Sequence, residues 1–249
     1  EGREHEFALS SIYGGRFDSY IRQFATAARD WGHPFFLRFN WEMNGNWFPW
    51  SEGVNGNGPG SFVAGWRHVH DIFESVGAHN VTWAWCPYAD PRFRFYPLKP
   101  LYPGDAYVDW TCIDGYNWGT NPTNPVPWMS FEKIFTSTYR RIVRNIAPRK
   151  PMILAELAST GNGRSKSAWI RRMFQALRGP KFRRIRALVW FNQVDRHVDW
   201  PLENSGPASR AFRRGLSRGY RPNAYATLSE SPIRPPEQAS KRKRRAKRR

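Results

Sequence analysis

Two glutamates each follow a short apolar segment of the sequence, and 114 residues separate them. Glu42 comes shortly after the segment 35–39 (FFLRF), and Glu156 comes directly after the segment 152–155 (MILA). Two carboxyl groups that face each other in an aromatic cleft are what the hydrolysis of a glycosidic bond requires. One group protonates the leaving oxygen. The separation of the two groups decides whether the reaction retains or inverts the anomeric configuration.

A single glutamate after a strand is more often the partner of a salt bridge, so the aromatic residues around the pair matter. The chain has 13 tryptophans among its 249 residues, which is more than core packing usually needs. Several apolar segments end in tryptophan or tyrosine, at Trp85, Tyr116, Trp118 and Trp190. A flat aromatic face suits the C–H face of a pyranose ring. These aromatic residues at the ends of the apolar segments favour a sugar-binding cleft over an ordinary salt bridge.

Short apolar runs alternate with amphipathic segments along the chain, and this pattern must position the two glutamates. Helical spacing of apolar side chains predicts helices at 18–31, 61–76, 130–146, 167–177 and 208–216. Strands are predicted at 7–10, 35–39, 81–85, 110–114, 152–155 and 187–191. Strands that alternate with helices indicate βαβ units and a parallel sheet, in which catalytic groups sit at the carboxyl ends of the strands.

Basic residues outnumber acidic ones, with 39 Lys and Arg against 20 Asp and Glu and a formal net charge of +19. The segment 237–249 contributes +7 of this charge through eight basic residues and one glutamate. Such a block of like charge predicts disorder. We therefore divide the chain into a catalytic domain at 1–231 and a Pro-rich, basic tail at 232–249. The tail could bind a nonspecific anionic partner, although a solvated tail is the simpler interpretation.

Other site classes lack support in the sequence. Cys86 and Cys112 are too few for a disulfide framework, and we expect two buried free thiols rather than a bridge or a metal site. No stretch of about 18 apolar residues exists, so we expect no membrane partner. The histidines are scattered, and neither a Gly-x-Ser-x-Gly motif nor a full phosphate-binding loop is present. We expect no metal and no cofactor.

The segment 38–50 (RFNWEMNGNWFPW) resembles the acid/base segment of glycoside hydrolase family 26, a family best known for β-mannanases. The segments 62–85, 114–119 (DGYNWG) and 150–156 (KPMILAE) resemble later parts of that family in the same order. The resemblance implies an α/β fold, the (β/α)8 TIM barrel, in which Glu42 ends the fourth strand and Glu156 the seventh. The six predicted strands would be strands 3–8. The first two βα units would be missing, as in a fragment of a longer protein.

The resemblance also implies roles for individual residues. Glu42 matches the general acid/base and Glu156 the nucleophile of a retaining double displacement. Tyr116 matches a tyrosine that hydrogen-bonds the nucleophile and holds it in position. The expected substrate-binding residues are Arg38, Trp41, Asn44, Trp47, Trp50, Trp85, Tyr116, Trp118 and Trp190.

One position departs from the family pattern and bears on the substrate. Many members have histidine immediately before the acid/base, where this chain has Trp41. Tryptophan cannot make the hydrogen bond that this histidine makes to the sugar. Endo-β-1,4-mannan hydrolysis is the first expectation, and mixed-linkage β-glucan or β-1,3-xylan stays open. A carbohydrate-binding protein without catalysis would keep the tryptophans but would not need both glutamates.

The family resemblance further implies an extracellular monomer that acts on a polysaccharide. A barrel that lacks its first strands has two open sheet edges and an open core. We therefore predict low stability or aggregation for the isolated chain.

Overall fold

Helices and strands alternate along the chain as the apolar spacing predicts. The computed structural model describes residues 4–91, 95–120, 127–195, 198–218 and 230–235. The strands are β1 (Phe35–Leu37), β2 (Val81–Trp85), β3 (Trp110–Asn117), β4 (Met152–Ser159) and β5 (Ile185–Trp190). The helices are α1 (Leu9–Tyr13), α2 (Asp18–Trp31), α3 (Ser61–Ser75), α4 (Phe131–Arg141), α5 (Lys166–Arg178) and α6 (Gly206–Ser217). None of the described helices combines the length and apolar character needed to cross a membrane.

The helix boundaries follow local capping chemistry. The side chain of Ser130 accepts a hydrogen bond from the backbone N–H of Lys133, and α4 therefore begins at the next residue. Ser165 and Ser205 cap α5 and α6 in the same way. Gly77 has a φ of +74° just after α3, where a left-handed residue favours glycine. These caps hold the helices against the sheet at the positions that the sequence predicts.

The predicted first strand is wrong. Residues 5–7 form a short 3-10 turn, and α1 follows from Leu9 instead of an extended segment at 7–10. The side chain of Asn57 accepts a hydrogen bond from the Leu9 N–H, and the Leu9 side chain is fully buried. A four-residue apolar run carries no period that separates helix from strand. The described residues therefore hold five strands rather than six. If Glu42 follows the fourth strand, as the family resemblance implies, these five are strands four to eight, and the predicted third strand does not occur among the described residues.

The five strands form one parallel sheet in the sequential order β1-β2-β3-β4-β5. The longest ladder joins β3 to β4, and there Asp114 is the register partner of Glu156. The register shifts between Ile113 and Asp114, directly before this pair. Because parallel strands end at the same edge of a sheet, the residues that follow them are brought together at the carboxyl ends.

Two layers of side chains fill the space on either side of the sheet. The larger apolar core lies between the strands and the helices, and it contains fully buried rings such as Trp66 and Trp169. A second, smaller cluster covers the concave side of the sheet, and its buried members are Ala84, Cys86, Trp110, Cys112, Ile153 and Ala155. Both cysteines are buried and free, which confirms the prediction for them.

The sheet is an open half-barrel among the described residues. β1 pairs with β2 on one side only, and β5 pairs with β4 on one side only. Val189 on β5 is 55% exposed, and all three residues of β1 are half-buried. A closed barrel would cover both edges with further strands. Low stability of the isolated chain stays a prediction.

The chain returns to the sheet at residues 231–233, within the segment predicted as tail. Ile233 is buried, its N–H donates to Thr82 Oγ1 at 2.8 Å, and its carbonyl accepts from Trp110 Nε1 at 2.6 Å. Ser231 Oγ donates to the Val81 carbonyl at 3.3 Å. Val81, Thr82 and Trp110 lie at the amino ends of β2 and β3, so this segment closes the bottom of the half-barrel. The predicted disorder from residue 232 therefore does not hold for 232–235, and residues 236–249 lie outside the described residues.

We predict that Ile233→Ala lowers the free energy of unfolding by about 2 kcal/mol, because it removes buried methyl groups and leaves a cavity beside Trp110. Urea denaturation measures the change. The matched control is Val194→Ala, because Val194 is 60% exposed, and there the expected change is within about 0.5 kcal/mol. Equal changes in the two variants would contradict the docking of residues 231–233.

Candidate active site

A cavity of about 480 Å³ opens at the carboxyl ends of the strands. Glu42 and Glu156 both line it, although 114 residues separate them in the sequence. Half of the residues that line it are aromatic: Trp41, Trp47, Phe48, Tyr88, Phe95, Tyr116, Trp118, Phe191 and Trp200. The fold thus brings the two glutamates into a single aromatic cleft.

A tight turn after β1 presents Glu42 to the cavity. Asn40 and Glu42 have positive φ values of 48° and 55°, which residues other than glycine rarely adopt. The N–H of Glu42 donates to the Cys86 carbonyl at 2.7 Å, so the turn is tied to the end of β2. Trp47 Nε1 donates to Glu42 Oε2 at 2.7 Å. Strained backbone of this kind clusters at functional sites, and here it fixes the direction of one buried carboxylate.

Glu156 on β4 is held by two donors. Arg38 Nη1 donates to Glu156 Oε1 at 2.9 Å, and the hydroxyl of Tyr116 donates to Glu156 Oε2. Burial, and then the negative charge of Glu156, raises the pKa of Tyr116 well above its ordinary value. Tyr116 therefore keeps its proton at neutral pH and remains a hydrogen-bond donor to Glu156.

Asp114 is a third carboxylate at the site, and it was not among the predicted site residues. It is fully buried and accepts from Arg38 Nη2 at 2.5 Å, while the Cys86 thiol donates to its other oxygen at 3.4 Å. Burial raises the pKa of Asp114 well above its ordinary value, and Arg38 opposes that shift. The signal was available in the sequence. Trp110, Cys112, Asp114 and Tyr116 alternate along β3 and share the concave face.

One oxygen from each of Glu42, Asp114 and Glu156 lies within 4.8 Å of the others. Oxygen ligands at this spacing could bridge a divalent cation. Two of the three carboxylates already accept hydrogen bonds from Arg38. A cation at this place would therefore compete with the guanidinium group.

Four of the predicted substrate-binding residues line the cavity, namely Trp41, Trp47, Tyr116 and Trp118. Trp118 Nε1 lies 3.4 Å from the Tyr88 hydroxyl, and its ring meets Trp200 edge to face at 5.0 Å. Tyr88 and Trp200 also line the cavity and were not predicted as site residues. Trp200 follows β5 in a loop whose sequence carries no periodic signal.

The other predicted substrate-binding residues do not line the cavity. Trp85 is fully buried among the helices, with its Nε1 donating to the Leu101 carbonyl. Trp190 lies behind the cavity wall, where its Nε1 donates to the Trp200 carbonyl at 2.9 Å. Both residues sit on the helix-facing side of their strands, opposite to the concave face.

Three predicted residues contact the cavity wall from outside the cavity, namely Trp50, Asn44 and Arg38. Trp50 stacks on Phe48 at 4.3 Å, and its Nε1 donates to the Trp41 carbonyl at 2.7 Å. Asn44 is buried and exchanges two hydrogen bonds with the backbone of Tyr88. Arg38 contacts the carboxylates described above. None of the three is among the residues that line the cavity.

Comparison with known proteins agrees with this geometry. The family described as glycosyl hydrolase family 26 matches residues 10–160, which is more than half of the chain and includes both glutamates. The chain belongs to glycosyl hydrolase family 26. It is 34% identical over 216 residues to "Endoglucanase H" of Acetivibrio thermocellus. It is 24% identical over 161 residues to "Mannan endo-1,4-beta-mannosidase" of Bacillus subtilis.

The family 26 chain covers only part of these relatives. The match includes 86% of this chain but 23% of Endoglucanase H, and 61% of this chain but 39% of the Bacillus subtilis protein. The solved catalytic domain of a Bacillus sp. JAMB-750 family 26 endo-β-1,4-mannanase superposes with a TM-score of 0.64 at 21% identity. That superposition covers 82% of this chain and 56% of the solved one. This likeness shows the fold, and the half-barrel corresponds to about half of that domain.

We predict that Tyr116→Phe lowers kcat about 10- to 100-fold, since a hydrogen bond to a charged group contributes about 1.5–3 kcal/mol. Initial rates of reducing-end release from a β-linked polysaccharide measure the effect. Tyr102→Phe is the matched control, because its hydroxyl donates to Asp105 at 2.8 Å and the residue does not line the cavity. Similar rate losses in both variants would contradict the positioning role of Tyr116.

Proposed function

We propose that this protein is a retaining glycoside hydrolase that cuts the backbone of a β-linked polysaccharide, with Glu42 as general acid/base and Glu156 as nucleophile. The observation that carries the proposal is the short separation of their carboxylate oxygens, which lie within 4.8 Å of one another. Retaining enzymes place the two carboxyl groups about 5–5.5 Å apart, whereas inverting enzymes need about 6.5–9.5 Å to admit a water molecule. The separation here favours direct attack by a carboxylate.

The proposed reaction has two steps that use the same pair of residues. In the first step, the Glu156 carboxylate attacks the anomeric carbon while Glu42 gives its proton to the leaving oxygen. A covalent glycosyl ester forms, and the negative charge passes from Glu156 to Glu42. In the second step, Glu42 takes a proton from water, whose oxygen attacks the anomeric carbon and releases Glu156. Both residues return to their starting protonation states.

The hydrogen-bond partners of the two carboxylates fit these different roles. Glu156 accepts hydrogen bonds from a cation and a phenol, Arg38 and Tyr116, which hold both of its oxygens in place for attack. For Glu42 the structure gives the neutral indole N–H of Trp47 as a side-chain donor, and Glu42 is 7% exposed. A carboxyl group in an apolar, aromatic surrounding is suited to carry the proton that the leaving oxygen receives.

A β-1,4-mannan is the first candidate substrate, and endo cleavage is the first candidate mode. The name of the Bacillus subtilis relative and the description of the solved Bacillus sp. domain support both. A β-glucan is the second candidate. It is favoured by the name of the relative that is 34% identical, and by Trp41, whose ring packs against Phe48 and Trp50 on the cavity wall. Tryptophan offers a stacking face where many family members offer histidine.

The proposed function predicts release of reducing ends from one of four polymers: galactomannan, glucomannan, mixed-linkage β-glucan or β-1,3-xylan. Glu156→Ala is expected to abolish release, because it removes the carboxylate that would form the glycosyl ester. Glu132→Ala serves as the control, since Glu132 is exposed on α4 and does not line the cavity. Circular dichroism checks that all three proteins are folded.

Each outcome of this assay has a definite meaning. Chain shortening across the whole polymer would support endo cleavage, whereas disaccharide release from one end would contradict it. Release that survives in Glu156→Ala would refute the assignment of the nucleophile. Binding of a polymer by folded protein without any release would favour a carbohydrate-binding protein over an enzyme.

A further inference from the structure

A second concave surface lies on the outside of the half-barrel, between α5 and α6. We name it the arginine groove. It has a volume of about 600 Å³, and five arginines line it together with apolar and small residues. These arginines are Arg171, Arg178, Arg210, Arg214 and Arg218. None of them lines the cavity that holds Glu42 and Glu156.

Acidic residues are missing from the sequence around the arginine groove. No aspartate or glutamate occurs in residues 157–194, which contain nine lysines and arginines, and none occurs in α6. Within the described part of the chain, none of the five groove arginines forms a salt bridge. Among the described residues, Arg171 donates a side-chain hydrogen bond to the hydroxyl of Ser167 at 3.2 Å, which carries no charge. The groove thus carries positive charge that the described residues leave unneutralised.

The arginines form two rows rather than a scattered set. Arg210 and Arg214 lie four residues apart along one side of α6, and Arg218 follows four residues later as the C-cap residue of that helix. Positions four residues apart on a helix start about 6 Å apart along its axis. Arg171 and Arg178 are seven residues apart on α5, which places them on one face of that helix. Two facing rows of positive charge suit an extended anionic chain better than a single small anion.

The floor of the groove limits what can bind. A Cβ atom added at Gly215 would lie 2.0 Å from the Phe174 ring, so the two helices approach closely. Helices packed in this way have axes about 8–10 Å apart, so the groove between them is shallow at Gly215 and Phe174. Single-stranded nucleic acid is usually held on exposed aromatic rings. Phe174 is 1% exposed, and none of the exposed large hydrophobic residues of the described chain lines this groove.

We propose that the arginine groove binds an anionic polysaccharide, a chain bearing uronic acid carboxylates, and that it anchors the protein beside its neutral substrate. The planar guanidinium group binds a carboxylate through two parallel hydrogen bonds, which lysine cannot do. All five basic residues of the groove are arginines. The anchoring role rests on the proposed function, whereas the binding itself does not, because the groove is separate from the glutamate pair.

Polygalacturonate binding to the full chain tests this proposal, measured by isothermal titration calorimetry at 0.15 M salt. The variant Arg210→Gln/Arg214→Gln is expected to bind about tenfold more weakly or worse, because two charge-assisted contacts are lost. The matched control is Arg172→Gln/Arg213→Gln, which removes the same charge from exposed positions of α5 and α6 outside the groove. This control is expected to bind within about twofold of the parent protein, since a contact-free surface charge contributes little.

Hydrogen exchange supplies an independent readout that the basic segment 241–249 cannot dominate. Polygalacturonate is expected to slow amide exchange in α5 and α6 of the full chain. Equal loss of affinity in both double variants, or no protection of the two helices, would overturn the proposal in favour of nonspecific attraction. Binding of single-stranded RNA but not polygalacturonate through the same arginines would overturn it in favour of nucleic acid. Groove variants are expected to hydrolyse soluble neutral polymers at the parent rate, so this test fails or succeeds separately from the proposed function.

Discussion

The forked contact of Arg38 is the interaction on which the site depends. One guanidinium group donates to Glu156 at 2.9 Å and to Asp114 at 2.5 Å, and it thereby joins the residue that follows β1 to residues within β3 and β4. Glu42 completes a group of three carboxylates whose oxygens lie within 4.8 Å of one another. Two unscreened like charges at that distance repel by about 3 kcal/mol at a dielectric constant of about 20. Without Arg38 the arrangement would relax apart or take up protons.

This constraint explains the layers around the site. Arg38 reaches its two carboxylates next to the small apolar cluster on the concave face of the sheet, since Cys86 of that cluster also donates to Asp114. Burial raises the pKa of the Cys86 thiol, so it stays a neutral donor to Asp114. Tyr116 then completes the partners of Glu156 from the side of the cavity. Arg38 and Tyr116 together hold both oxygens of Glu156 in place at the cleft.

The sequence predicted what depends on local pattern and missed what depends on tertiary contacts. The helix at 18–31 was predicted to the residue, because its amphipathic spacing runs for almost four turns. Residues 7–10 were predicted as a strand, whereas the chain forms a 3-10 turn up to Phe7 and α1 from Leu9. The hydrogen bond that holds Leu9 goes to Asn57, which is 48 residues away in sequence, so the local pattern could not indicate it. Motifs located Glu42 and Glu156 at strand ends. They misplaced Trp85, because a strand that is buried on both faces gives no signal for which tryptophan faces the cleft.

The most direct test of the account is the identity of the covalent intermediate. An activated 2-fluoro glycoside with a dinitrophenyl leaving group forms the glycosyl ester faster than water removes it, so the ester accumulates. With Glu156 as the nucleophile, we expect intact-mass spectrometry to find one added glycosyl unit and peptide mapping to place it on Glu156. We expect no adduct in Glu156→Gln. An adduct on Asp114 or Glu42, or inversion of the anomeric configuration in the first product with no adduct at all, would contradict it.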